Sequence, residues 1–191
     1  MCGILGAEVL PDSQPKVIIS SLKKLLFTSA RRGKDAWGLT FLVKKKEKYI
    51  LKTFKSSQSI YDTFDKGEFK DFIYKYQGMN DKIIYILGHT RMATNGSVLD
   101  KNNQPLISVD KNQSLVFNGI IINSKKILSH KKTLTQNDGE SIWFKEKNKI
   151  KLQGCYSYIK IEKNNEYIEV KYETNNGSLY SSNKKFFALK N

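Results

Sequence analysis

A thiol lies at the second position of the chain, in the segment Met1-Cys2-Gly3-Ile4. Its small side chain favours removal of the initiator methionine, which would leave a nucleophile and a free α-amine on one residue. Because α-amines have a reference pKa of about 7.7–8.0 and thiols of about 8.5, the amine can take the thiol proton near neutral pH. The pattern predicts nucleophilic catalysis without a histidine base. The alternative is an ordinary small residue at the start of a strand.

Four further segments carry side chains that suit the recognition of an amino acid and the hydrolysis of an amide. They are residues 32–38 (RGKDAWG), 88–96 (GHTRMATNG), 117–121 (FNGII) and 137–140 (NDGE). Arg91 offers a planar fork for a carboxylate, although a lone arginine after a strand is more often a salt-bridge partner. Asp138 can pair with an ammonium group or cap a helix. The Asn118 amide and the Gly119 N–H can form an oxyanion hole, but Asn-Gly is also a common hairpin turn.

In order and spacing, the five segments resemble those of the class II glutamine amidotransferases, the glutaminase domains with an N-terminal cysteine. Residues 103–106 (NQPL) are similar to the Asn-x-Pro segment that follows the arginine loop in this family. The resemblance covers essentially the whole chain. It implies an α+β fold, the four-layer αββα sandwich of the N-terminal-nucleophile hydrolases, in which two sheets lie face to face between helical layers.

The resemblance also implies a reaction and its site. Cys2 attacks the side-chain amide of L-glutamine, and water hydrolyses the resulting γ-glutamyl thioester to glutamate, with no metal or organic cofactor. Asn118 and Gly119 hold the oxyanion. The remaining substrate-binding residues are Arg91 for the α-carboxylate, Asp138 for the α-ammonium and Thr94 in the wall of the pocket.

Three more residues take supporting roles by the same resemblance. Arg32 and Asp35 brace the strand that carries the nucleophile, and His89 is a packed, hydrogen-bonded residue more than a catalytic base. The sequence departs from the family pattern at four positions that remove neither a required charge nor a required donor. These are Trp37, Met92, Phe117 and Gly139.

Alternating and helical spacings predict the elements that must position these residues. Helices are expected over 16–29, 69–76, 124–129 and 138–144, with Ser124 and Asp138 as caps. Strands are expected over 3–10, 39–43, 49–54, 82–87, 114–117, 155–162, 167–172, 178–182 and 186–189. In the first helix one apolar face is predicted from Val17, Ile18, Leu22, Leu25 and Leu26. Two packed sheets with helices outside are the natural arrangement.

The composition is that of a globular protein. At 191 residues, 39% of them hydrophobic, the chain is expected to form one domain. The resemblance implies that this is a single glutamine amidotransferase type-2 domain over residues 1–191. The two cysteines, Cys2 and Cys155, suit a reducing cytoplasm, and Cys155 is predicted to be a core residue. CxxC and CxxH pairs are absent, so no metal site is expected. There is neither a signal-peptide layout nor an apolar run of the roughly 18 residues that cross a bilayer, so we expect a cytoplasmic protein without membrane association.

The formal net charge is +15. A basic chain can bind nucleic acid or another polyanion, but lysine-rich coding explains the charge more simply. Arginine, which DNA-reading proteins favour, occurs only at Arg31, Arg32 and Arg91. A nucleic acid partner is therefore not favoured.

Two other functions stay open from the sequence. One is the hydrolysis of a different amide or γ-glutamyl bond on the same fold, and the other is a non-catalytic, basic binding module. Because the glutaminase fold takes up all 191 residues, we expect that a separate synthase subunit accepts the ammonia. The alternative is that the domain acts alone.

Overall fold

Two antiparallel sheets form the centre of the computed structural model, which describes residues 2–77, 82–92, 102–145, 149–164, 167–177 and 179. The strand order is β1-β4-β2-β3 in the first sheet and β5-β6-β7-β8 in the second. The strands are β1 (Gly3–Glu8), β2 (Ala36–Lys45), β3 (Lys48–Ser56), β4 (Lys82–Arg91), β5 (Leu106–Ile107), β6 (Gln113–Ile121), β7 (Gly154–Lys163) and β8 (Ile168–Asn175). The helices are α1 (Pro15–Ser29), α2 (Ile60–Thr63), α3 (Gly67–Gln77), α4 (Ser124–Leu128), a 3₁₀ helix (Asp138–Ser141) and α5 (Ile142–Lys145).

Three clusters of buried side chains show how the layers stack. The middle cluster joins the two sheets and includes Ile4, Leu42, Tyr85, Leu87, Val116, Ile159 and Ile161. A second cluster packs α1, α2 and α3 on the outer face of the first sheet, and a third packs α4 and α5 on the outer face of the second sheet. Because each sheet buries both faces, the chain has four layers in the order αββα. The predicted sandwich is confirmed.

Helix α1 shows how the sequence selects the buried face. Ile18, Leu22 and Leu26 recur every four residues and are fully buried, as expected for the core-facing stripe of an amphipathic helix. Val17, which we placed on this face, is 44% exposed. The placement of Val17 is wrong because successive residues are rotated by about 100° around the helix axis, so Val17 lies at the edge of the buried stripe that contains Ile18.

Trp37 fills a space in the helical layer. In β2 it points to the same side as Leu39 and Phe41, away from the second sheet, and packs edge-on against Phe69 with ring centroids 5.3 Å apart. Its indole N–H donates a hydrogen bond of 2.8 Å to Thr63 Oγ1. A buried indole normally needs such a partner. This unusual residue of the 32–38 segment therefore stabilises the attachment of α2 and α3 and stays out of the inter-sheet layer.

A polar contact crosses the apolar layer between the sheets. Ser114 Oγ of β6 donates to Thr40 Oγ1 of β2 at 2.9 Å, and Thr40 is also 2.8 Å from Thr53 Oγ1 of β3. Ser114 and Thr40 are fully buried. Because buried hydroxyls are costly without partners, this chain of hydroxyl groups favours one alignment of the two sheets.

Several predicted boundaries differ from the observed ones. Strands β4 and β6 do not stop before the glycine-containing motifs but continue through them to Arg91 and Ile121. The helix caps also differ, because Asn123 rather than Ser124 precedes α4 and Asn137 rather than Asp138 caps the 3₁₀ helix. The predicted strands over 178–182 and 186–189 fall, apart from residue 179, outside the described residues.

Cys155 is exposed at the start of β7, so its assignment to the core is wrong. It pairs with Ile120, which is 68% exposed. At this end of β6 and β7 the face that carries Ile120 and Cys155 is exposed, whereas Ile121 and Tyr156 on the opposite face are buried, so a strand pattern did not imply burial of Cys155. Among the described residues, no helix is both long and apolar enough to cross a membrane.

Candidate functional site

Strand alternation places four of the predicted residues on the facing inner surfaces of the two sheets. Side chains two residues apart in a strand share a face. In β4, Leu87 lies in the inter-sheet cluster, so His89 and Arg91 are on that inner face. The same counting from Ile4 and from Val116 places Cys2 and Asn118 on inner faces.

The residues also lie at one end of the sandwich. Gly3 of β1 pairs with Thr90 of β4, so the same register continued by one residue brings Cys2 level with Arg91. Gly38 pairs with His89 and lies against residue Gln104, because a methyl group at Gly38 would be 2.1 Å from the Gln104 carbonyl oxygen.

The side chain of Gln104 connects the first sheet, against which its backbone packs, to the second sheet. Gln104 Oε1 accepts a hydrogen bond from the backbone N–H of Phe117. Phe117 precedes Asn118 in β6. The arginine end of β4 and the Asn118-Gly119 end of β6 therefore face each other, and Gln104 is a site-building residue whose contact was not predicted from the sequence.

The segment before β2 braces the end of β4. Asp35 N–H donates to the carbonyl oxygen of Arg91 at 3.0 Å. Gly33 packs so closely that a methyl group there would be 2.4 Å from the Arg91 carbonyl carbon and the Met92 nitrogen. The segment that contains Arg32 and Asp35 thus braces the strand of Arg91, which pairs directly with β1. That Arg32 and Asp35 brace the nucleophile strand itself stays a prediction.

Two hydroxyl groups lie beside the residue that follows the candidate nucleophile. Ser29 Oγ and Thr90 Oγ1 are 3.0 Å apart. A methyl group at Gly3 would be 1.9 Å from Ser29 Oγ and 2.7 Å from Thr90 Oγ1. A side chain at position 3 would therefore displace both hydroxyls and the start of β1. Cys2 itself is half-buried and its thiol is free.

Asn118 and Gly119 lie inside β6, opposite Ser157 and Tyr156 of β7. The hairpin-turn alternative for this Asn-Gly pair is therefore wrong. Gly119 has φ +142°, and a methyl group there would be 2.2 Å from the Cys155 carbonyl oxygen. Glycine alone adopts this conformation readily, so the backbone at this position is specified by the residue type.

Asp138 is attached to the same strand. Its Oδ2 accepts a hydrogen bond of 2.7 Å from the backbone N–H of Ile121 at the end of β6. Burial raises the pKa of Asp138, against the lowering effect of backbone hydrogen bonds from Ile121, Asp138 itself and Gly139. The cap of the 3₁₀ helix is Asn137, whose side chain accepts from Gly139 N–H at 2.9 Å. The helix-cap alternative for Asp138 is therefore wrong.

His89 is 1% exposed. Within the described residues neither ring nitrogen has a hydrogen-bond partner, in contrast to the expectation of a hydrogen-bonded side chain. Burial, followed by the charges of Arg91 and Lys55, lowers its pKa to about 3. The imidazole is therefore neutral at physiological pH and cannot serve as a cationic acid there.

Arg91 contacts a residue that the sequence did not single out for a role. Its Nη1 donates to Asn103 Oδ1 at 2.8 Å, and Asn103 is fully buried. The similarity of residues 103–106 to a family segment was the available signal, but it did not specify this contact. Thr94 and Met1 lie outside the described residues. Among the residues that are described, no group of three or more His, Cys, Asp or Glu side chains could hold a metal ion.

Comparison with known proteins identifies relatives of the chain. No family model matches the chain. Glutamine–fructose-6-phosphate aminotransferase (isomerizing) of Buchnera aphidicola is 34% identical over 140 residues, which are 73% of this chain and 19% of that protein. The enzyme of the same name from Chlamydia pneumoniae is 30% identical over 127 residues, 66% of this chain and 18% of that protein. The chain thus spans about a fifth of the curated relatives it matches.

A solved structure shares the fold. Glutamine phosphoribosylpyrophosphate amidotransferase from B. subtilis, in complex with ADP and GMP, superposes with a TM-score of 0.58 and 20% identity. The match covers 84% of this chain and 35% of that chain. At this identity the likeness shows the architecture of two packed sheets between helices.

Proposed function

The chain belongs to the class II glutamine amidotransferases, which have an N-terminal cysteine nucleophile, and from this we propose that it hydrolyses the side-chain amide of L-glutamine to glutamate and ammonia. One observation carries the proposal. Cys2, Arg91 and Asn118 lie on facing inner surfaces at one end of the sandwich, as indicated by strand alternation, the register of β1 with β4 and the contact of Gln104 with β6. We propose that residues 1–191 form one glutaminase domain.

The reaction begins at the mature N-terminus. After Met1 is removed, the α-amine of Cys2 takes the thiol proton, and the thiolate attacks the amide carbon of the substrate. His89 is a poor base because burial lowers its pKa to about 3, so the amine takes the proton in this proposal. Because an α-amine titrates at a pKa of about 7.7–8.0, it can accept the proton and return it within the same cycle near neutral pH.

The tetrahedral intermediate places a negative charge on the amide oxygen. The Asn118 side-chain amide and the Gly119 backbone N–H donate to that oxygen, and removal of one such donor costs about 10²–10³ in rate. The C–N bond then breaks as the protonated α-amine gives its proton to the leaving nitrogen, which departs as ammonia. Water attacks the γ-glutamyl thioester, and cleavage of the C–S bond releases glutamate and restores the thiol.

The two charged groups of the amino acid select the substrate. The guanidinium of Arg91 binds the α-carboxylate through two parallel hydrogen bonds. The carboxylate of Asp138, which Ile121 N–H holds at the end of β6, binds the α-ammonium. Thr94 completes the wall of the pocket in this proposal, and Arg32 and Asp35 support it from the segment that braces β4.

The ammonia goes to an acceptor in the proposed cycle. The relatives that match the chain are named for transfer to fructose 6-phosphate, and the chain spans about a fifth of their length. We propose that a synthase subunit receives the ammonia from this chain. We place the reaction in the cytoplasm, because the two free cysteines suit a reducing compartment.

The two cysteines provide the test. Cys2→Ala should abolish glutamate release from L-glutamine, while Cys155→Ala, which removes the exposed thiol of β7, should retain it. A diazo-ketone analogue of glutamine should label Cys2 and not Cys155, as peptide mapping would show, and intact mass should show the loss of Met1. Glutamate release that survives in Cys2→Ala would refute the mechanism. Cys2-dependent release of ammonia from other γ-glutamyl amides but not from glutamine would indicate the alternative hydrolase.

A further inference from the structure

The carboxylate-binding arginine is held by a buried neutral amide. Arg91 ends β4 on the inner face of the first sheet. Its Nη1 donates to Asn103 Oδ1 at 2.8 Å, and Asn103 is fully buried just before β5. We infer that Asn103 is a positioning residue that orients the Arg91 guanidinium toward the α-carboxylate of the substrate. The inference rests on the proposed function and adds to it a residue that sets affinity and selectivity.

The orientation of the Asn103 amide is determined by its neighbours. Its Nδ2 donates to Ser57 Oγ at 3.0 Å and approaches the Ser56 carbonyl oxygen at 3.4 Å. A guanidinium can only donate and a carbonyl can only accept. The amide therefore has one orientation that satisfies both sides, in which its oxygen faces Arg91 and its nitrogen faces the end of β3.

This contact restricts a long side chain with several rotatable bonds. An arginine side chain has many rotamers, and most of this freedom must be lost when it binds a ligand in one geometry. Asn103 is itself held by the end of β3, so it can fix the guanidinium before the substrate arrives. Because a guanidinium has five N–H donors, an anchor at Nη1 is compatible with a two-pronged bond to a carboxylate.

The neutrality of the anchor matters as much as its position. An aspartate in the same place would also accept from Nη1, but its negative charge would compete with the substrate carboxylate for Arg91. Asparagine orients the guanidinium without placing a negative charge beside it. The structure therefore assigns Asn103 to recognition of the amino-acid head group and not to the chemistry at the amide carbon.

The test compares L-glutamine with L-glutamine α-amide, which keeps the α-ammonium and the side-chain amide but lacks the carboxylate. Ammonia release is measured for both. In Asn103→Leu, which keeps the size of the side chain but cannot hydrogen-bond, KM for L-glutamine should rise roughly tenfold to hundredfold, as expected for a lost hydrogen bond to a charged group. The kcat for L-glutamine should change by less than about threefold, and kcat/KM for the α-amide should stay nearly constant.

Two variants separate positioning from general damage. Asn123→Leu removes another side-chain amide, which hydrogen-bonds to the backbone of Lys151 and Gln153. This variant should leave KM and kcat unchanged for both substrates. In an Arg91→Lys background, Asn103→Leu should add little further loss, because the two residues act as a unit. If Asn103→Leu fails to fold, as judged by thermal melting, Asn103→Asp takes its place, and KM for L-glutamine should rise by a similar factor.

The outcomes are distinct. A folded Asn103→Leu with unchanged KM, with equal losses on both substrates, or with losses that add fully to those of Arg91→Lys, would overturn the inference and leave the proposed function intact. If Asn103→Leu does not fold, unchanged KM in Asn103→Asp would overturn it likewise. A wild-type chain without Cys2-dependent ammonia release from L-glutamine would refute the proposed function and, with it, this inference.

Discussion

Gly119 provides the sharpest test of the oxyanion hole. Its φ is +142°, and a methyl group at this position would lie 2.2 Å from the Cys155 carbonyl oxygen and 2.6 Å from the Tyr156 Cα. All of these atoms belong to the backbone of β7, so a rotamer change cannot relieve the overlap. Gly119→Ala must therefore move β6 away from β7 or change φ, and either change displaces the N–H that would hold the oxyanion.

The expected cost has two parts. A non-glycine residue held in such a conformation costs about 1–3 kcal/mol, and at this chain length each kcal/mol lowers Tm by roughly 2–4 °C. Displacement of one oxyanion donor should lower kcat by about 10²–10³. The first part is measured by thermal unfolding and the second by glutamate release at saturating L-glutamine, well below the melting temperature.

Gly154 on the neighbouring strand is a matched control. It has the same φ of +142°, and a methyl group there would be 2.0 Å from the Ile120 carbonyl oxygen. Gly154→Ala should lower Tm to a similar extent, yet kcat should fall far less because Gly154 has no proposed part in the reaction. If the two variants lose stability alike and lose kcat alike, or if Gly119→Ala keeps normal kcat, the oxyanion role of Gly119 is wrong.

Two further predictions concern charged groups. Arg91→Lys should raise KM for L-glutamine strongly, because an ammonium cannot form the two parallel hydrogen bonds of a guanidinium. Loss of a buried charged contact costs about 2–5 kcal/mol. A near-normal KM in steady-state kinetics would contradict the assignment of Arg91. Glu173 has a pKa below its ordinary value of 4.5, since hydrogen bonds from Lys145 and Tyr158 outweigh the effect of burial. Its ionised form should therefore stabilise the fold above pH 4.5 and lose that contribution as pH falls through the lowered pKa. Thermal melts across pH should show the Tm difference between wild type and Glu173→Gln narrowing on acidification, and a constant difference would contradict the assignment.

The sequence indicated the family and its candidate site residues more completely than it indicated where the strands end. The order and spacing of Cys2, Arg91, Asn118 and Asp138 indicated a family, and that family implied both the sandwich and the chemistry. The strand ends were predicted too early because glycine is usually read as a strand-breaking residue. In β4, Gly88 lies within the strand, where a methyl group would be 2.8 Å from Leu5 Cγ of the adjacent strand. Tertiary packing thus requires glycine where local propensity predicted an end.

Other features depend on contacts between distant parts of the chain. Asn103 contacts Arg91, 12 positions away in the sequence, and Ser57, which follows β3 and is 46 positions away. A local sequence pattern therefore could not predict these contacts. The helix caps show a different limit. Asn123 and Ser124, like Asn137 and Asp138, are adjacent residues of types that cap helices, and propensity alone does not choose between neighbours.

The buried hydroxyl contact between Ser114 and Thr40 has a consequence for how the reacting parts stay aligned. In the proposed function the carboxylate clamp is on the first sheet, while the oxyanion donors and the ammonium ligand are on or attached to β6 of the second. In that proposal, glutamine lies across the interface between the two sheets. The apolar side chains of this interface resist sliding only weakly, because the hydrophobic effect is non-directional. A directional hydrogen bond across this interface opposes sliding of one sheet over the other, and it therefore helps to fix the position of Arg91 relative to Asn118.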